Sequence, residues 1–263
     1  MPDKTYVFEN HLVQRIDAHV LISGSPLHSN INKHYAAQIN WAAPGTVVRA
    51  MVGNAELIGP CVAIDGGVVH GIEMEAGLVA MIDPAYAAAL RPPERRGFDA
   101  GVLTGSVWDG DPSSAPTMLA DLLSPGHEVP LDARVSDVLR WLEEMELSGR
   151  WADVSLQAAL RLVNLSESRF LHLFSAQTGT PWRSYLVWRR AMVGMSLVLE
   201  GSAVGDASMR AGYADAAHFS RQVSDIFGLS PKDIILIASG RKELESRIAH
   251  HVGPKMPECD IVS

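Results

Sequence analysis

The stretch that decides the fold of the second half of the chain is Val204–Ile234, VGDASMRAGYADAAHFSRQVSDIFGLSPKDI. It reads as a short helix that ends at Gly212, followed by a second helix that begins after Asp215 and ends at Gly228. Glycine lets the chain enter the left-handed region past a helix end, and aspartate accepts backbone hydrogen bonds at a helix start. A short helix, a tight turn and a capped second helix are typical of a helix-turn-helix unit.

The same pattern occurs once more, earlier in the chain. A helix predicted for Ser155–Val163 ends at Asn164, and Ser166 precedes a second helix that ends at Gly179. Between the two copies, Trp182–Glu200 reads as one long helix that would hold the units apart. From the helix cap to the terminal glycine, the two copies align when one is shifted by 49 residues. The aligned pairs are Ser166/Asp215, Phe170/Phe219, Phe174/Val223 and Gly179/Gly228.

The first half of the chain reads differently, because residues 5–85 show short apolar runs separated by Gly, Pro and Asn. Such spacing is typical of an antiparallel sandwich or barrel. Helical turns are predicted at Ala85–Leu90 and Met118–Leu123, a linker at Ser124–Pro130, and a helix after Asp132 that runs through Leu147. The predicted strands are His19–Ser23, Tyr35–Trp41, Thr46–Val52, Glu56–Ile58, Cys61–Ile64, Val68–Ile72 and Gly77–Ile82.

Composition and charge narrow the class of protein. Apolar residues make up 47% of the 263 residues and charged residues 20%, which is typical of a packed globular protein. Residues 1–150 hold 10 Lys/Arg and 19 Asp/Glu, whereas residues 151–240 hold 8 and 7, so the second half is free to approach a polyanion. The two cysteines have no zinc-ligand spacing, and no secretory signal or membrane span is read, which favours the cytoplasm.

With these motifs in place, the second half resembles the AraC/XylS family of bacterial transcriptional regulators over about Asp132–Ile234. The resemblance rests on SLQAALRLVNLSESRFLHLFSAQTGTPWRSYLVWRRAMVGMSLVL and on the stretch quoted first, with its HFSR and FGLSP runs. Tyr185 and Arg190 also match the family pattern, in which the arginine pairs inside the module. The first half resembles the cupin-like sensing domain of one branch of this family, at His28, at HYAAQI (residues 34–39) and at Val68–Pro84.

Together these observations predict an α+β multidomain chain. An N-terminal antiparallel cupin-like β-barrel at 1–128 would sense an effector or dimerise. An all-α DNA-binding module at 129–240 would hold helix-turn-helix units at about 155–176 and 204–227, joined by a linker helix at 182–200. Residues 241–263 would form a tail. The resemblance implies a sequence-specific transcription regulator that is not an enzyme and needs no cofactor.

The outward faces of the two second helices are the predicted DNA contacts, because the second helix of such a unit enters the major groove. The resemblance implies that base contacts come mainly from Ser168, Leu171 and His172. In the second unit Arg221 is the strongest candidate for a phosphate or guanine contact, and the alternative is a salt bridge to Asp215 or Asp225. The full predicted set is Glu167, Ser168, Leu171, His172, Ser175, Ala216, Ala217, His218, Arg221 and Gln222.

Polar residues of the first half predict a pocket for a small effector, lined by some of His34, Gln38, His70 and Glu73. A bound metal is the less favoured interpretation, because the HxH pair of cupin enzymes is missing, and no metal ligand is predicted. Two other classes stay open: a metal-dependent cupin enzyme with a helical appendage, and a scaffold whose helical half meets another protein. The predicted partners are double-stranded DNA, a small molecule and, for an activator, RNA polymerase. A homodimer is compatible with the sequence, and a membrane partner is not expected.

Overall fold

The computed structural model describes residues 9–16, 19–25, 27–89, 100–103, 109–111, 114, 117 and 131–238. The strands are β1 Glu9–Ile16, β2 His19–Ser25, β3 Leu27–Lys33, β4 Ala37–Ala42, β5 Val48–Val52, β6 Ala55–Gly59, β7 Cys61–Ile64, β8 Val69–Met74, β9 Gly77–Ile82 and β10 Ala100–Val102. The helices are α1 Pro84–Ala89, α2 Ala133–Leu147, α3 Leu156–Val163, α4 Glu167–Thr178, α5 Trp182–Leu199, α6 Val204–Arg210, α7 Ala216–Phe227 and α8 Pro231–Ala238, with a 3-10 turn at Trp151–Asp153.

The strands form two antiparallel sheets, which with α1 make up what we call the β domain. One sheet has the order β1-β2-β9-β4-β7-β10 and the other β3-β8-β5-β6. Side chains alternate along β2, so that Val20 and Ile22 join the core shared with the second sheet while Leu21 joins a separate apolar cluster. Every residue of β9 is buried, because both of its faces are covered. The predicted antiparallel architecture is confirmed.

The helices of the second half begin and end where the sequence predicts. Ser155 caps α3 by accepting a hydrogen bond from the Ala158 amide, and Asp215 caps α7 by accepting one from the His218 amide. Asn164 ends α3 with φ 50°, and in the described part of the chain it is the one non-glycine residue with positive φ. Ser166 occupies the predicted cap position of α4, although its side chain makes no capping hydrogen bond there.

The linker helix α5 packs against both helix-turn-helix units. At its start the Trp182 ring lies 5.2 Å from the Phe170 ring of α4, measured between centroids. Near its end a Cβ added at Gly194 would lie 2.4 Å from the Phe219 ring of α7, so only glycine allows this close approach. The guanidinium of Arg190, on α5, lies 5.6 Å from the centre of the Tyr213 ring, which belongs to the second unit. One helix therefore sets the position of both units.

Three strands were not predicted, namely β1, β3 and β10. The sequence of β3, LHSNINK, is mostly polar and lacks the apolar alternation of a half-buried strand. It is a strand because β8 pairs with it, from Leu27 opposite Met74 to Lys33 opposite Val69. The predicted turn at Met118–Leu123, the predicted linker at Ser124–Pro130 and the predicted tail at 241–263 lie outside the described residues.

Among the residues that the structure describes, no helix has the length and apolar character needed to cross a membrane.

Candidate nucleic-acid interface and sensing site

The helix α4 of the first unit has one buried face and one exposed face. Phe170 and Phe174 are buried in the core, and Leu173 is half-buried against it. On the other side Glu167, Ser168 and His172 are exposed, as predicted. The exposed side chains are therefore available to a ligand as large as a DNA duplex.

Two of the side chains predicted to face outward on α4 are less accessible than expected. Leu171 is half-buried and packs against the hydrophobic core, because the apolar stripe of α4 is wider than the i, i+3, i+4 pattern suggests. Ser175 is also half-buried. The exposed Arg169 lies between Ser168 and Phe170 and was not singled out from the sequence, although a lone arginine on such a helix is a signal for a phosphate contact.

The helix α7 of the second unit presents Ala217, His218 and Arg221 to solvent, while Ala216 and Gln222 are half-buried. The carboxylate of Asp215 accepts a hydrogen bond from the His218 amide at 2.7 Å. This backbone hydrogen bond and, to a lesser extent, the nearby Arg221 lower the pKa of Asp215. Asp215 is thus used as a helix cap, and the Arg221 guanidinium is left at the surface.

Residues 160–235, which run from α3 into α8, match a family model described as a helix-turn-helix domain. Residues 160–235 are therefore an AraC-type helix-turn-helix domain, and we call the helical part of the chain that contains it, α2 to α8, the AraC-type module. The predicted resemblance is confirmed for these residues. No curated protein sequence matches the chain.

One solved structure with the same fold extends the comparison to most of the chain. An apo point variant of ToxT from Vibrio cholerae has a TM-score of 0.54 and 10% identity, over 86% of this chain and 99% of that one. A transcriptional regulator from Chromobacterium violaceum, described by its AraC-type DNA-binding domain, has a TM-score of 0.36 and 16% identity, over 41% of this chain and 93% of that one. The ToxT match supports the fold of a β domain followed by the AraC-type module.

Inside the β domain, three of the four predicted effector residues come together. The ring nitrogens Nε2 of His34 and His70 lie 3.0 and 3.1 Å from Oε1 of Gln38. Their Nδ1 atoms lie 3.1 and 3.0 Å from the carbonyl oxygens of Ala36 and Val68. Burial and, secondarily, the neighbouring His70 lower the pKa of His34 to about 4. Burial likewise lowers the pKa of His70.

The fourth predicted effector residue, Glu73, does not join this cluster. It is exposed and follows the buried Ile72 on β8, so its side chain points to the opposite face of the sheet. Asn40 was not among the predicted residues, although it is fully buried and continues the cluster. Its Oδ1 accepts a hydrogen bond from Gln38 at 2.6 Å, and its Nδ2 donates one to the Val62 carbonyl at 3.0 Å. Asn40 lies two residues after Gln38 and therefore on the same face of β4. This spacing is the sequence signal that could have identified it.

A cavity of about 40 Å³ lies beside this cluster, between the β domain and the AraC-type module. Its β-domain wall includes His34 and Gln38, and its other wall is the end of α7 with the turn after it, Ile226–Leu229. Since a buried water needs roughly 10–15 Å³, the cavity has room for about three waters.

A second contact between the β domain and the module is polar and buried. The Asp83 carboxylate accepts hydrogen bonds from the Tyr185 hydroxyl, at 3.2 and 3.3 Å to its two oxygens, and from Nε1 of Trp188 at 3.1 Å. Arg189 donates to the Tyr185 hydroxyl at 3.3 Å and to Glu146 at 2.8 Å. Burial raises the pKa of Asp83, while the nearby Arg189 opposes that shift.

The raised pKa of Asp83 predicts a pH-dependent difference between the wild type and the variant Asp83→Asn. Between the ordinary aspartate pKa and the raised one, the folded protein holds more protons than the unfolded chain, so raising the pH through this range destabilises the wild type. Asparagine does not titrate, and we expect the variant to gain stability relative to the wild type as the pH rises. Urea unfolding from pH 5 to 8 measures this difference. The exposed Asp225→Asn serves as the control, and a difference that stays constant with pH would contradict the prediction.

Proposed function

We propose that this DNA-binding transcription regulator reads two major-groove segments with α4 and α7 and responds to a ligand in the β-domain cavity. The observation that carries the DNA-binding part is the match of residues 160–235 to a helix-turn-helix domain. The exposed His172 and Arg221 on the two second helices support the assignment of the reading surfaces. Arginine pairs with guanine through two hydrogen bonds, and a neutral imidazole supplies only one donor.

The ligand response is supported by the position of the cavity. The segment Ile226–Leu229, which is the end of α7 and the turn after it, forms one of its walls, and α7 also carries Arg221. A ligand that binds the two arrangements of this wall with different affinity shifts the population between them. We propose that this shift changes how the second unit is presented to DNA.

Selection from a random pool of DNA duplexes tests the proposed reading surfaces. We expect the wild type to enrich two short motifs whose centres lie about one helical turn apart. Arg221→Ala should relax one motif and His172→Ala the other, with a loss of about 1–3 kcal/mol at each base that loses a bidentate contact, and less for histidine. Affinity for the selected duplex, measured at several salt concentrations, quantifies the loss.

The matched control is Arg140→Ala, because Arg140 is exposed on α2, which is not one of the second helices, and pairs with Asp137. It should leave both motifs and the affinity unchanged. Enrichment of no motif, together with the absence of salt-sensitive binding, would overturn the DNA-binding function. Relaxation of the same motif by both variants would overturn the assignment of one unit to each motif.

A further inference from the structure

We propose that His34, His70 and Gln38 bind a divalent first-row transition-metal ion inside the β domain. This inference names the class of ligand for the cavity and rests on the ligand-response part of the proposed function. The DNA-binding part stands without it.

The first argument is that hydrogen-bond acceptors converge on one point. Each Nδ1 faces a backbone carbonyl oxygen and must donate to it, so that a neutral ring keeps its lone pair on Nε2. Both Nε2 atoms then face Oε1 of Gln38, which is also an acceptor. With neutral rings, three lone pairs meet and no hydrogen lies between them.

Turning the amides does not remove this mismatch. If the Gln38 amide is reversed, its nitrogen donates to both rings, but its oxygen then faces Oδ1 of Asn40 at 2.6 Å. If Asn40 is also reversed, its oxygen faces the carbonyl of Val62 at 3.0 Å. Every arrangement with neutral rings leaves at least one pair of acceptors in contact, which is unfavourable in a buried network. A cation among the three atoms resolves the mismatch and keeps every other hydrogen bond.

The separations of the two ring nitrogens from the Gln38 oxygen fit a metal ion. Imidazole nitrogen and oxygen ligands lie about 2.0–2.2 Å from such an ion. Neighbouring ligands at about 2.1 Å are therefore about 3.0 Å apart in an octahedron and about 3.4 Å apart in a tetrahedron. The observed separations from the Gln38 oxygen, 3.0 Å to His34 and 3.1 Å to His70, match the octahedral value.

The surroundings supply the other requirements of a metal site. A ring N–H that donates to a backbone carbonyl is the usual support of a ligating histidine, and both rings have it. The cavity has room for about three waters, which would complete six ligands. Oδ1 of Asn32, which also lines the cavity, is buried and accepts no hydrogen bond from the described residues, so it is free to accept one from a bound water.

The donor set selects the class of ion. Imidazole favours iron(II), cobalt(II), nickel(II) and zinc(II) over magnesium and calcium, which prefer oxygen ligands. Among the described residues no group of three His, Cys, Asp or Glu side chains could hold a metal. The amide oxygen of Gln38 is the third ligand here, and it is not an acidic or thiol group.

The test is calorimetric titration of the chelator-treated full chain with NiCl₂, CoCl₂ or MgCl₂, together with elemental analysis after dialysis. We expect about one equivalent of nickel or cobalt and no magnesium. His70→Ala should weaken nickel binding at least tenfold. Gln38→Glu should strengthen it at least tenfold, because a carboxylate replaces a neutral oxygen, and this variant keeps the proposal testable if the histidine variant does not fold.

The matched control is the double change His250→Ala and His251→Ala, since adjacent histidines near the end of the chain are an independent source of nickel binding. It should leave the stoichiometry unchanged. The proposal is overturned if the wild type binds no nickel, if the double change abolishes binding, or if Gln38→Glu has no effect. Ring nitrogens that NMR shows to carry a proton on both Nδ1 and Nε2 at pH 7 would also overturn it. If DNA binding persists alongside any of these negative results, only the proposed ligand is wrong. If metal binding and DNA binding are both absent, the proposed function is wrong as well.

Discussion

Replacing Arg189 with methionine is expected to lower the free energy of unfolding by about 3–5 kcal/mol. Arg189 is 6% exposed and lies between two acidic groups, because it donates to Glu146 and to the Tyr185 hydroxyl that in turn donates to Asp83. Methionine fills a similar volume and carries no charge, so the Glu146 carboxylate loses its hydrogen bond and ion pair with Arg189. Removal of one member of a buried pair leaves an uncompensated charge, which destabilises far more than the pair itself stabilises.

Urea unfolding followed by tryptophan fluorescence measures this effect, because Trp188 and Trp151 flank the site and are buried. The control is Arg183→Met, an exposed arginine on the same helix, for which we expect a change within about 0.5 kcal/mol. A loss below 1 kcal/mol for Arg189→Met would mean that the cluster is not held by charge.

The second large effect is expected for Phe170→Ala, which should also cost about 3–5 kcal/mol. Phe170 is 1% exposed, and its ring centroid lies 5.8 Å from that of Phe174 and 5.2 Å from that of Trp182. These rings join α4 to the linker helix α5, so the variant removes apolar contacts and leaves a cavity between them. Because α4 loses its support, DNA affinity should fall together with stability.

His172→Ala is the matched control on the opposite face of α4. Its side chain is exposed, so we expect stability to change by less than about 0.5 kcal/mol while DNA affinity falls. Thermal unfolding and duplex binding on the two variants separate the two faces of the helix. If Phe170→Ala retained full stability, the aromatic cluster would not hold the first unit in place.

The helices of the AraC-type module could be predicted from the sequence because their ends carry local signals. Asn164, Asp215 and Gly228 determine backbone conformation by their own chemistry, and the structure places them as the helix ends that the sequence predicts. Strand β3 could not be predicted in the same way, because its pairing partner β8 lies about 40 residues later and its own side chains are mostly polar.

The candidate sites were predictable in part. Exposure on α4 and α7 follows from helical periodicity, but the half-buried Leu171 depends on the packing of neighbouring helices, which no local pattern encodes. His34 and Gln38 are close in sequence, whereas His70 reaches them only through the stacking of two sheets. The contact of Asp83 with Tyr185 and Trp188 joins residues about 100 positions apart, and a single sequence carries no signal for it.

The segment Ile226–Leu229, which is the end of α7 and the turn after it, lines the cavity and is continuous with the helix that we propose reads DNA. Thermodynamic linkage makes such an arrangement reciprocal. If the occupant of the cavity changes the affinity for an operator by some factor, the operator changes the affinity for that occupant by the same factor. A promoter that holds this protein would then change how tightly the protein binds its ligand, and the DNA-bound and free populations in one cell would be half-occupied at different ligand concentrations.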